Sequence, residues 1–209
     1  MLRPGLRRTP HTAYRAPYNI IPLRLLLLQI DPLLQTYFSI CILLFTGFPF
    51  LKSDPDMKKI EVGSTVPQFT LDDQNGTPFS INSVIGKKNL VIYFYPKDDS
   101  PGCTKEACAF RDQFEVFTEA DAMIIGISGQ SVESHKKFAE KYHLSFTLLS
   151  DEGDKVRKVF GVPVNFLGMI PGRVTYIVDK SGKVVYVFNS QIQATKHVDE
   201  ALRILKELK

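Results

Sequence analysis

From Met57 onward, apolar runs alternate with amphipathic stretches, a rhythm that residues 1–56 do not share. The run Asn89–Tyr95 (NLVIYFY) is apolar at nearly every position, which predicts a strand buried on both faces. Ala122–Ser128 reads the same way. Shorter strands are expected at Val66–Leu71, running into the turn signal DDQNG at 72–76, and at Phe146–Leu149. Val174–Val178 and Val184–Phe188 flank Asp179-Lys180-Ser181-Gly182, the pattern of a hairpin. Apolar residues at 107, 110, 114 and 117 form one stripe, so Thr104–Glu119 is predicted to be a helix. Further helices are expected over Val132–Tyr142 and Asp154–Phe160, with an amphipathic one over His197–Leu208. This alternation, closing on a hairpin and a helix, predicts a layered α/β domain over 57–209.

Residues 1–56 form a separate, non-globular segment in this reading. It opens with Arg3, Arg7, Arg8, Arg15 and Arg24 and is poor in acids. Leu33–Leu51 then runs without a charge, close to the length that spans a bilayer, but Pro32, Gln35, Gly47 and Pro49 interrupt its apolar character. Three readings stay open: an untranslated leader ahead of a start at Met57, a removable targeting segment, and a membrane anchor. The first places the protein in the cytoplasm, the second in a plastid or another organelle. Cys41, inside this run, reads as an inert buried or lipid-facing thiol.

Charge narrows the function classes. The first 56 residues carry six Lys/Arg and three Asp/Glu, which leaves 20 basic and 19 acidic side chains for the rest. Such a balanced body has no basic excess with which to hold a nucleic-acid backbone. Three cysteines, at 41, 103 and 108, are too few and too scattered for a secreted disulfide framework. No second Cys or His pair has the spacing of a zinc site, so no structural metal is expected, and redox chemistry carried by cysteine sulfur would need no haem, flavin or other cofactor.

The chemistry concentrates at 95–108 (YPKDDSPGCTKEAC), just after the most apolar strand. Open α/β sheets place their sites at this carboxyl edge. Pro101 and Gly102 make a turn, and Cys103 then opens a helix. A helix N-terminus offers unpaired N–H groups and partial positive charge, and both favour the nucleophilic thiolate. Cys103 is therefore the reactive candidate. Cys108 lies five residues on, roughly 8–9 Å away in an intact helix. A disulfide wants Cα atoms within about 7 Å, so any bond between the two requires the first turns to unwind.

Pro96, Ser100 and Cys103 match the Pro-x-x-x-Thr/Ser-x-x-Cys signature of peroxiredoxins. The longer run from Phe94 to Asp112, together with IGIS at 125–128, LLSD at 148–151 and PGR at 171–173, resembles the Q-type, or bacterioferritin-comigratory, branch. The resemblance covers about residues 60–208; Ser100 stands where threonine is commoner. It implies a thioredoxin fold, with a central mixed sheet flanked by helices. It also implies peroxidase activity on hydroperoxides, with reduction by thioredoxin or a similar dithiol. On this resemblance Cys103 is the peroxidatic cysteine and Cys108 the resolving one, joined in an intramolecular disulfide for which a monomer suffices. Ser100 is expected to hydrogen-bond peroxide and thiolate, Pro96 to shield the site from water, and Arg173 to favour the thiolate and orient the peroxide.

Other polar residues read as structural. Arg111 is expected at the surface or in a salt bridge, His135 and His143 at the surface, and Asp98 and Asp99 as capping or solvated residues of the turn. The charged residues from Glu133 to Lys141 read as a solvated helix face. The rival function is a disulfide relay or redox sensor without turnover. The Cys-x-x-x-x-Cys spacing, in place of the Cys-x-x-Cys usual in thioredoxin-like oxidoreductases, favours the peroxidase. A membrane-tethered binding protein is a third reading and rests wholly on residues 33–51.

Overall fold

The computed structural model describes residues 59–165 and 168–208; the candidate anchor and Cys41 lie outside them. At its centre is β3 (Asn89–Phe94), whose six side chains are all buried. Successive side chains point to opposite faces, so Val91, Tyr93 and Tyr95 enter one apolar cluster while Leu90, Ile92 and Phe94 enter the other. This double burial explains the unbroken apolar run. β4 (Ala122–Ser128) pairs with β3 in parallel, and β5 (Thr147–Ser150) pairs in parallel with β4. On the other side β8 (Val174–Val178) runs antiparallel to β3, and β9 (Val184–Asn189) antiparallel to β8. β1 (Thr70–Asp73) and β2 (Pro78–Ser80) form a hairpin that extends the β5 edge. The seven strands run β2-β1-β5-β4-β3-β8-β9, a mixed sheet between two helical layers and a thioredoxin-like α/β fold, as expected.

One face carries α1 (Pro101–Asp112), α2 (Phe114–Glu119), α3 (Val132–Tyr142) and α5 (Lys196–Glu207), which bury Phe110, Phe117, Phe138 and Val198 among others. The opposite face is covered by α4 (Lys155–Val159), with Val156 and the following Phe160.

Several boundaries depart from expectation. The helix predicted over Thr104–Glu119 is two helices, broken at Gln113, whose φ of −107° and ψ of 10° leave helical geometry. The apolar stripe survives the break because both pieces pack on the same cluster, which hides the break from periodicity. The expected Val66–Leu71 strand begins later, at Thr70. A two-residue pair, β6 (Val164–Asn165) with β7 (Ile170–Pro171), is too short to leave an alternation in sequence.

Candidate active site

β3 delivers the chain to the carboxyl edge of the sheet, and Tyr95–Ser100 turns it into α1. Ser100 is extended (φ −81°, ψ 146°) and Pro101 takes the first helical position, where a missing N–H costs nothing. Cys103 is thus the third helical residue, within the first turn, whose amides have no partner in the helix. Its side chain is buried, 2% exposed, against the central strand.

Arg173 reaches it from β8's approach. The Arg173 Nη2 lies 3.3 Å from Cys103 Sγ, and its Nη1 donates to Glu106 Oε2, with both side chains buried. Arg173 is itself 3% exposed. Gly102 makes room for this approach, since a β-carbon there would stand 3.2 Å from Nη2. Burial drives the Glu106 carboxyl up to about 8 against the pull of Arg173. Arg173 therefore divides its donors between two buried partners, the Glu106 carboxyl and the Cys103 sulfur. His197 closes the cluster from α5. Its Nδ1 is 2.8 Å from Thr175 Oγ1 and 3.8 Å from Glu106 Oε1, and its Nε2 is 2.9 Å from the Ser190 carbonyl. Burial lowers its pKa to about 4, so it is neutral, with Nε2–H donating to Ser190 and Nδ1 accepting from Thr175.

The remaining candidates fall around this core. Pro96 is half-buried at the start of the turn. The Ser100 hydroxyl donates to the Lys97 carbonyl at 3.0 Å, and among the described residues it makes no bond to Cys103. Cys108 sits in the same unbroken helix as Cys103, half-buried, and both are free thiols.

Two readings of polar residues are corrected. Asp98 is neither a cap nor solvated. It is buried and accepts from the Tyr95 hydroxyl (2.7 Å), the Ser134 hydroxyl (2.6 Å) and His135 Nδ1 (2.8 Å). These bonds outweigh the burial that opposes ionisation, and hold its carboxyl below its usual range. His135 is not at the surface but fully buried, with Nε2 3.1 Å from the Leu149 carbonyl. Both ring nitrogens thus face oxygens, the Asp98 carboxylate at Nδ1 and the Leu149 carbonyl at Nε2. Asp99 is exposed as expected, bonded to Lys141 (2.6 Å), and Arg111 is bonded to Asp112 and the Tyr142 carbonyl.

The site is therefore a thiol at a helix N-terminus, facing a buried guanidinium at the edge of a thioredoxin-like sheet. A model of the AhpC/TSA family matches residues 62–187. The chain belongs to that family. Within it, the chain falls in the peroxiredoxin Q branch and is a peroxidase, an oxidoreductase that works through a thiol. The chloroplastic peroxiredoxin Q of Sedum lineare is 55% identical over 159 residues, which are 76% of this chain and 85% of that protein. Among solved structures, the peroxidoxin BcpB of Mycobacterium tuberculosis is 38% identical with a TM-score of 0.67, covering 72% of this chain and 99% of that one. The bacterioferritin comigratory protein of Xanthomonas campestris, described for its alkyl peroxide reduction activity, is 32% identical with a TM-score of 0.63, over 71% and 97% of the two chains.

Glu106, Asp98 and His135 are buried neighbours of the site that local sequence pattern does not reveal. Glu106 is the partial exception: it lies three residues after Cys103, on the inward stripe beside Ala107 and Phe110. A carboxyl buried there requires a buried hydrogen-bonding partner.

Proposed function

We propose that Cys103 is the attacking thiolate in the reduction of hydrogen peroxide and organic hydroperoxides. The observation that carries this is the Cys103 sulfur in the first turn of α1, 3.3 Å from the buried Arg173 guanidinium. The thiolate attacks the terminal peroxide oxygen, the O–O bond breaks, and the leaving oxygen takes a proton as water or alcohol. This leaves Cys103 as a sulfenic acid. The Cys108 thiol condenses with it, forming the S–S bond and releasing water. Thioredoxin or a similar dithiol then reduces the disulfide and becomes oxidised itself. Arg173 stabilises the thiolate and orients the peroxide, Pro96 excludes water, and the Ser100 hydroxyl swings from Lys97 to bond the peroxide. The sulfenic acid and the disulfide both form within one chain, so a monomer suffices for them.

The domain of residues 57–209 carries this cycle. The plant relatives are described as chloroplastic, and the Arg-rich, acid-poor residues 1–56 suit a segment that addresses the domain to a plastid. The test is peroxide consumption with thioredoxin, thioredoxin reductase and NADPH. Wild type turns over and Cys103→Ser does not, because a serine hydroxyl without a base is a poor nucleophile at neutral pH. Substantial turnover by Cys103→Ser refutes the assignment.

A further inference from the structure

A second buried arginine stands behind the site, on a helix that carries none of the residues assigned above. Arg157, on α4, is 3% exposed among apolar residues of the sheet's other face. Its Nη2 donates to the Tyr95 carbonyl at 2.7 Å and its Nη1 to the Gly172 carbonyl at 2.9 Å. Tyr95 immediately precedes Pro96, and Gly172 immediately precedes Arg173. One rigid fork of donors thus sets the separation between two backbone segments that meet only in the folded state.

Arg157 is itself held in place. The Asp151 carboxylate accepts the backbone N–H groups of Val156 (3.0 Å) and Arg157 (2.8 Å), fixing the start of α4. Asp154 Oδ1 lies 3.2 Å from Arg157 Nε, and the guanidinium sits 5.5 Å from the centre of the Phe94 ring. Gly172 is pinned from the other side. Its N–H donates to the Pro163 carbonyl at 2.8 Å, and a β-carbon at 172 would stand 2.4 Å from that oxygen. The direction in which Arg173 leaves the backbone is therefore fixed by Pro163 on one side and Arg157 on the other.

A buried cation is a poor source of stability, since well-packed apolar side chains often serve as well. What the planar fork supplies, and neither an apolar group nor an ammonium can, is two directed bonds at a set spacing. We propose that Arg157 is a positioning residue of the peroxide site, registering the Pro96 wall against the Arg173 clamp so that the peroxide lies in line with the Cys103 sulfur. This rests on Cys103 as the attacking thiolate.

The test compares two rates at Cys103 in Arg157→Met and Arg157→Lys: oxidation by hydrogen peroxide and alkylation by iodoacetamide. Both are read by mass spectrometry of the peptide containing Cys103. Alkylation needs the thiolate but no aligned peroxide, so the ratio of oxidation to alkylation isolates alignment. We expect that ratio to fall by about 10- to 100-fold in both variants, in line with the cost of a misplacement of about 1 Å. Lysine keeps the charge but can satisfy only one carbonyl well, and it decides the matter if the methionine variant does not fold. A wild-type ratio in a folded variant, including one in which both rates fall in parallel, overturns the proposal. Cys103→Ser measured alongside separates this failure from that of the underlying reading: if it retains turnover, the thiolate assignment itself is wrong.

Discussion

Removing Arg173 has consequences for rate and for stability that separate cleanly. Arg173→Ala deletes the donor 3.3 Å from the Cys103 sulfur. Losing one aimed donor at a reacting centre costs on the order of 100- to 1,000-fold in rate. The same change strips Glu106 of its partner, and an uncompensated buried charge commonly costs about 3–5 kcal/mol. Glu106 avoids most of that cost at neutral pH. Its carboxyl already titrates near 8 with Arg173 present, so it holds a proton at pH 7 and stays neutral when the guanidinium goes. Above pH 8 the proteins diverge. Wild-type Glu106 ionises and relies on Arg173, whereas the variant's carboxyl has lost the only groups that lowered it and must stay protonated. The folded variant then binds a proton that the unfolded chain does not, so its stability keeps falling by up to roughly 1.4 kcal/mol per pH unit. Denaturant unfolding followed by circular dichroism at pH 7 and pH 9 measures this. Because the protein has no tryptophan, Cys103 oxidation is better followed by acid quench and mass spectrometry. The double variant Arg173→Ala/Glu106→Gln should lose the extra pH dependence yet remain as slow as Arg173→Ala. Wild-type oxidation rates in Arg173→Ala, or rescue of the rate in the double variant, would refute the electrostatic account of the site.

Other outcomes follow from the same geometry. Cys108→Ser should complete one round of peroxide reduction but cycle poorly with thioredoxin and accumulate sulfinic acid at Cys103, visible by mass spectrometry. With Arg173 in place, wild-type stability should decline as pH rises from 4.5 towards 8 on account of Glu106, by up to roughly 1.4 kcal/mol per unit. His197, with its pKa lowered to about 4, works in the opposite sense, its stability being lost as pH falls below about 6.5. Glu106→Gln should therefore remove the decline between pH 6.5 and 8; an unchanged slope in urea titrations speaks against a buried, proton-holding Glu106. Gly126→Ala should destabilise the fold by about 1–3 kcal/mol, because its β-carbon would stand 2.7 Å from the Tyr93 ring and 2.8 Å from Leu148. Thermal melting checks this. In the disulfide form, amide exchange should quicken over residues 103–111 while β3 stays protected, since the bond cannot form in an intact helix.

How much of this was legible depended on whether the cause was local. The β3 run was readable because burial on both faces leaves no polar position, and the Pro-Gly-Cys turn because helix starts have their own chemistry. Partnerships across the fold were not. Asp98 and His135 lie 37 residues apart, and nothing near either announces that α3 will place one against the other. Aspartates in a turn and a histidine among charged helix residues are usually solvated, so the local rule pointed the wrong way. Arg173 was legible through its Pro-Gly-Arg motif, yet the motif said nothing of Glu106, which claims the other half of its guanidinium. The break at Gln113 escaped because the burial pattern, the quantity that periodicity reads, is continuous through it.

The proposed peroxide-driven bond between Cys103 and Cys108 within one chain can be tested directly by one measurement. Reduced wild-type protein is treated with one equivalent of hydrogen peroxide, blocked with an alkylating agent and weighed intact. It is then digested with trypsin without reduction. Lys105 separates the two cysteines, so a 103–108 bond should hold the peptides 98–105 and 106–111 together in protein of monomer mass that has lost two hydrogens. Alkylated Cys108 beside an oxidised Cys103, or a disulfide found only in protein of dimer mass, contradicts the account.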